Sequence, residues 1–261
     1  MNWTKVRAIV DKEIADARKN KMITISMALL PIVLVALTLG TSFFMLRSNS
    51  GLSANDAGMI PPELRNYDPV HAFLIMMNDQ YMFYFLLIPM MMPVFIAAYS
   101  IVGEKETRSL EPLLATPITV GELLLGKSIA AVAPAVILTW LSYVMLVIGG
   151  YFIMPEPVFQ ALVRPVWIVG MLLLSPLLAL LSVLSGMIVS SRLNDPRAAQ
   201  QVTGIFIVPI IGLSLLVLAG KILVSIPLIA LASAAILVLD ILMLFFAIKL
   251  FQRETILTRW K

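Results

Sequence analysis

The sequence predicts an all-α polytopic membrane protein with six transmembrane helices, an N-terminal interfacial amphipathic helix and a short cytoplasmic coupling helix between spans two and three. Three observations carry that fold class. Of 261 residues, 60% are hydrophobic and only 13% charged, against roughly 25% charged in soluble domains. Mean hydropathy is +0.97. Six stretches, 22–46, 81–102, 128–152, 165–189, 202–220 and 226–250, are each about the 20 apolar residues that a helix needs to cross a hydrocarbon core.

Charge sets the orientation, because Lys and Arg accumulate in short cytoplasmic loops. One side receives Lys5, Arg7, Lys12, Arg18, Lys19, Lys21, Lys105, Arg108, Lys127, Arg192, Arg197, Lys249, Arg253, Arg259 and Lys261; the other receives only Arg47, Arg65, Arg164 and Lys221. Both termini are therefore expected in the cytoplasm. The first stretch is too long for a signal peptide, and no small-residue cleavage site follows it.

Before the first span, Trp3, Val6, Val10, Ile14 and Ala17 recur at helical spacing, with most bases off that stripe. Residues 1–21 read as a helix lying in the inner interface; the alternative is a solvated leader. The outer interval 47–80 opens on turn-formers, and its end, 71–80, is apolar enough to lie on the outer leaflet. Pro89 and Pro93 are placed to kink span two. Spans five and six, separated only by 221–225, are expected to form a tight helical hairpin. Ser182-x-x-x-Gly186-x-x-x-Ser190 offers a small-residue face for another helix.

Residues 121–128, GELLLGKS, match the phosphate-binding pattern G-x-x-x-x-G-K-[ST]. That loop works through backbone N–H groups converging on phosphate oxygens between a strand and a helix. Here the intervening Glu122, Leu123, Leu124 and Leu125 are helix formers, and Glu122 puts a negative charge where the anion belongs. Residues 236–240 (ILVLD) and 184–186 (LSG) imitate other nucleotide-site motifs, but both lie inside spans. Thr119-x-x-Glu122 instead forms a capping box that starts the helix of span three. Lys127 then falls at the membrane boundary, where its ammonium can snorkel.

The cytoplasmic segment 103–127 holds seven charges in 25 residues. Ser109 can N-cap a short helix at 110–115, and Thr116-Pro117 stops it. Leu110, Leu113 and Leu114 form a small apolar patch framed by Glu104, Glu106, Arg108 and Glu111, a composition that suits a soluble partner. By physical chemistry alone, docking helix and solvated connector stand level. The polar stretch 190–201, with Arg192, Asn194, Asp195 and Arg197, is either a second contact or a plain turn.

The run from Glu104 and Glu106 through Arg108-Ser109-Leu110-Glu111, Leu113-Leu114-Ala115-Thr116-Pro117, Thr119 and Glu122-Leu123-Leu124 to Gly126-Lys127 resembles the signature of ABC-2-type permeases, the membrane subunits of ABC exporters. The resemblance extends over the whole chain as one transmembrane domain, 1–261. It implies a half-transporter that pairs with a second permease subunit, identical or related, and with separate ATPase subunits that carry ATP and Mg. The 110–115 helix would seat in the ATPase. No catalytic, cofactor or metal site is expected on this chain, nor any nucleic-acid partner. The expected setting is a prokaryotic cytoplasmic membrane, with lipid around the spans.

Asp240 lies mid-span in the sixth helix, where a charge costs roughly 2.5–3.5 kcal/mol on insertion scales. It is either a cation or proton group or a polar contact in the pathway, or a protonated or hydrogen-bonded acid satisfied by a neighbouring helix; the last reading is preferred because no acidic or His partner appears in another predicted span. A stand-alone secondary transporter or channel using Asp240 is the rival function. Such transporters carry internal repeats or several intramembrane charges, and neither is visible. His71 is the only histidine and there is no cysteine, so thiol and His-cluster chemistry drop out. Met76, Met77 and Met90–Met92 read as helix filler rather than a soft-metal site.

Overall fold

The computed structural model describes residues 2–19, 21–48, 60–61, 64–106, 118–193, 195–219 and 224–251. No strand occurs among them. The helices are α1 (Trp3–Lys19), α2 (Lys21–Arg47), α3 (Pro69–Phe85), α4 (Leu87–Glu106), α5 (Val120–Ile153), α6 (Glu156–Leu162), α7 (Pro165–Arg192), α8 (Pro196–Thr203), α9 (Val208–Leu218) and α10 (Ile226–Leu250). Six segments among the described residues are long and apolar enough to cross a membrane.

The centre is the α4–α7 pair, joined by α10 on α7 and by α5 against both. In lipid the apolar effect drives no helix association, so close packing and interhelical hydrogen bonds must do it, at about 0.6 kcal/mol per bond on average. The predicted small-residue face supplies both. A Cβ built on Gly186 would lie 3.0 Å from Val94 Cγ2 and 3.4 Å from Ala97 Cβ, so any side chain here would push the α4 side chains back, and glycine lets the two helices close to this distance. One turn earlier, Ser182 donates its hydroxyl to the Met90 carbonyl. On α5, the Trp140 indole donates to the Met171 carbonyl (2.9 Å) and Ser175 Oγ (3.0 Å) of α7.

The second span corrects the expectation in the sequence. It begins at Pro69, not at residue 81: Asp68 caps the helix through the Val70 N–H (2.9 Å), and Pro69 occupies the first turn, where its missing N–H costs nothing. Residues 71–80 do not lie on the outer leaflet. Ala72, Leu74, Ile75 and Met76 are buried against α2 and α6. The span is interrupted at Leu86, where Pro89 deprives the Phe85 carbonyl of its helical donor.

Span five is also broken, into α8, a 3₁₀ turn (Gly204–Ile207) and α9, because Pro209 cannot donate to the Ile205 carbonyl. Spans five and six do not pair mainly with each other: α9 lies against α3, and α10 against α7. An apolar helix pays no solvation penalty for separating from its neighbour in lipid, so a short connection does not force a tight hairpin.

Candidate functional site

The segment 103–127 emerges from α4 and returns as α5. Glu104 and Glu106 lie in the last turn of α4. Arg108, Ser109, Leu110, Glu111, Leu113 and Leu114 lie outside the described residues. What the structure gives in detail is the segment's return.

Thr119 and Glu122 form the predicted capping box. The Glu122 N–H donates to Thr119 Oγ1 (3.3 Å), and Glu122 Oε2 accepts from the Thr119 N–H (3.0 Å). Glu122 then does a second job: its Oε1 accepts the N–H of Asn2 (2.6 Å), while Asn2 Oδ1 caps α1 through the Thr4 N–H (3.0 Å). One carboxylate thus joins the starts of two helices. Residues 121–128 are wholly helical within α5, so their N–H groups run along a helix axis instead of converging on an anion.

The second half of the motif receives α1. A Cβ on Gly126 would lie 2.8 Å from both Cβ and Cγ2 of Ile9 and 3.3 Å from the Val6 carbonyl oxygen. Val6, Ile9 and Glu13 are the buried face of α1. That face departs from the predicted interfacial stripe: Val6 belongs to both, but Trp3 is 62% exposed and Ile9 replaces Val10. Spacing alone located an apolar stripe, but the neighbour that covers α1 is a helix, and its contact line includes a carboxylate.

Lys127 does not snorkel. Its ammonium is buried, donating to Glu13 Oε1 (2.7 Å) and to the Ser100 hydroxyl of α4. Lys12 adds a second cation 3.8 Å from Glu13. Burial pushes the Glu13 carboxyl up, but the charge and hydrogen bond of Lys127, with Ser100 and Lys12, outweigh it and hold the group below its ordinary 4.5. A carboxyl lowered on docking contributes stability that is complete above about pH 4.5 and is lost as the pH falls through its lowered value. Acidification through that window is expected to loosen α1, read as broadening of the distance between spin labels at Arg7→Cys on α1 and Gly121→Cys on α5.

Close by in sequence, Arg192 ends α7 with its side chain exposed, and Asp195 caps α8 by accepting the Arg197 N–H (2.9 Å). Asp195 and Arg197 are exposed too. The short helix α8 rests on α4 and α7, and the α1 socket is built on α5 with Ser100 of α4, so the second candidate stretch and the socket share α4.

At the opposite end, Asp79 of α3 accepts from the Arg164 guanidinium and from Trp167 Nε1 (3.0 Å), joining α3 to the start of α7. Sequence reasoning missed this cluster because the late start assigned to span two left Asp79 in the outer loop. The signal was present in Asp68-Pro69, a helix start. Asp240 is 2% exposed, and neither carboxylate oxygen has a hydrogen-bond partner among the described residues. The hydrogen-bonded form of the preferred reading is therefore not what the structure gives.

Six apolar membrane-length helices among the described residues define an integral membrane protein. The chain matches the model of a family described as ABC-2 family transporter protein over residues 7–254, and it belongs to that family. It is a permease component of an ABC transporter, a kind of protein that works with an ABC ATPase. No curated protein matches the chain.

Proposed function

We propose that this chain is the permease subunit of an ATP-driven exporter. Two permease subunits, identical or related, face each other in a prokaryotic cytoplasmic membrane, with both termini on the cytoplasmic side. ATP and Mg bind on separate ATPase subunits, and this chain has no catalytic, cofactor or nucleic-acid site of its own. The segment 103–127 receives the ATPase through Leu110, Leu113 and Leu114, framed by Glu104, Glu106, Arg108 and Glu111. Arg192, Asp195 and Arg197 form the second contact.

The observation that carries the reading is the attachment of the segment's flanks. Lys127, where the segment re-enters the bundle, is bonded to Ser100 just before it and to Glu13 of α1. A push on the segment is thereby delivered to α4, α5 and α1 together. Helix α5 runs unbroken from Val120 to Ile153, so displacement at its capped start becomes a rigid-body motion of a full span. Domain shear of this kind needs no bond chemistry in the permease.

Replacing Leu113 and Leu114 together by Asp is expected to abolish co-purification of the co-expressed ABC ATPase while the permease still inserts. Undiminished co-purification would sink the docking assignment.

A further inference from the structure

Asp240 is used by nothing above. The buried residues of α10 are Ile229, Ser233, Asp240 and Ala247, a seam at near-heptad spacing that faces α7, its main partner. Ile229 Cδ1 comes within 3.7 Å of a Cβ built on Gly170. Further along, Ala247 and Phe251 share a cluster with Val183 and Met187. The two helices therefore run parallel, and the same offset sets Asp240 level with Leu181 and Ser182.

A carboxylate only accepts hydrogen bonds, and a hydroxyl has one proton to give. Near that level every serine proton is already given to a backbone carbonyl: Ser182 to Met90, Ser185 to Leu181 and Ser182, and Ser233 to Ile229 (2.7 Å). Among the described residues α10 packs mainly on α7 and to a lesser extent on α5. Between Arg164 and Arg192 on α7, and between Lys127 and Tyr143 on α5, no titratable or charged residue occurs. On α10 itself the nearest is Lys249, more than two turns away. Asp79 pairs with Arg164 at the start of α7, about 26 Å away along the helix at 1.5 Å per helical residue. Among the described residues an ionised Asp240 has neither donor nor counter-charge, whereas the neutral acid brings no charge into the seam and so avoids the larger desolvation cost.

We propose that Asp240 is a proton-binding site: it holds a proton while α10 is packed on α7 and releases it when that seam opens to water. The packed state then binds one proton more than the opened state. Raising the pH loosens the seam, by up to about tenfold in the packing equilibrium per pH unit. Neutralising the position removes that dependence.

The test uses the full chain in lipid nanodiscs, with carboxyl-labelled aspartate and infrared spectroscopy. Expected at neutral pH is the C=O band of a protonated carboxyl, lost in Asp240→Asn. In hydrogen exchange, α10 of the wild type should lose protection beyond the intrinsic pH trend as the pH rises, while Asp240→Asn should not. Should Asp240→Asn fail to fold, the band in the wild type and its pH titration still decide. A wild-type spectrum with no protonated carboxyl at neutral pH, or an α10 whose excess pH dependence survives Asp240→Asn, would overturn the proposal.

Discussion

Lys127→Met is expected to release α1 from the bundle. Removing one partner of a buried ion pair leaves the other charge desolvated, at a cost of about 3–5 kcal/mol. Glu13 is 5% exposed, and it escapes that cost most simply if α1 swings away. Lys12, 3.8 Å from Glu13, offsets only part of the loss, since its own side chain is nearly half exposed. The labels at Arg7→Cys and Gly121→Cys, placed in a chain with no native cysteine, should report a broad, lengthened distance. Adding Glu13→Leu to Lys127→Met should restore the short one, because replacing both members of a buried pair by apolar residues is close to neutral. An unchanged distance in Lys127→Met would remove the pair from any role in holding α1.

The second large effect is expected at Gly126. Glycine to alanine inside a helix normally gains about 1 kcal/mol. Here the new Cβ meets the Cβ of Ile9 at 2.8 Å, a rigid branch point close to the α1 backbone, and no rotamer change relieves it. Overpacking of about 1–3 kcal/mol outweighs the gain, so Gly126→Ala should undock α1 with little change in global stability. Ile9→Ala should not rescue it, because the offending Cβ remains. At Gly121, five residues earlier, an added Cβ would meet nothing within 4 Å, so Gly121→Ala should be silent or mildly stabilising. Equal losses at the two glycines, measured by the α1–α5 distance with the second label moved off residue 121, would show that the socket is not what the motif serves.

Much of this protein was legible in its sequence, for reasons that can be assigned residue by residue. Thr119 and Glu122 announced a helix start because a capping box is satisfied within four residues. The run 226–250 announced its span because its apolar length is itself the requirement. Span two was misplaced because Asn78, Asp79 and Gln80 interrupt its hydropathy. Their side chains find partners in Met154 at the end of α5, in Arg164 and Trp167 at the start of α7, and in Tyr84 of α3 itself. Apart from Tyr84, one turn along the same helix, nothing local to residues 78–80 reveals those partners.

Composition and short-range spacing were enough for the class, the six spans, the charge asymmetry and the family signature, since each depends on residues near one another in the chain or on their overall proportions. Packing alone established that Glu13, Ser100 and Lys127 meet, that Ile9 requires a glycine at 126, and that Asp240 faces α7 with its neighbours' hydroxyl protons already given away. Those are contacts between residues that the chain keeps far apart. Helical periodicity says which residues share a face, but the identity of the surface opposite that face is set only when the helices pack.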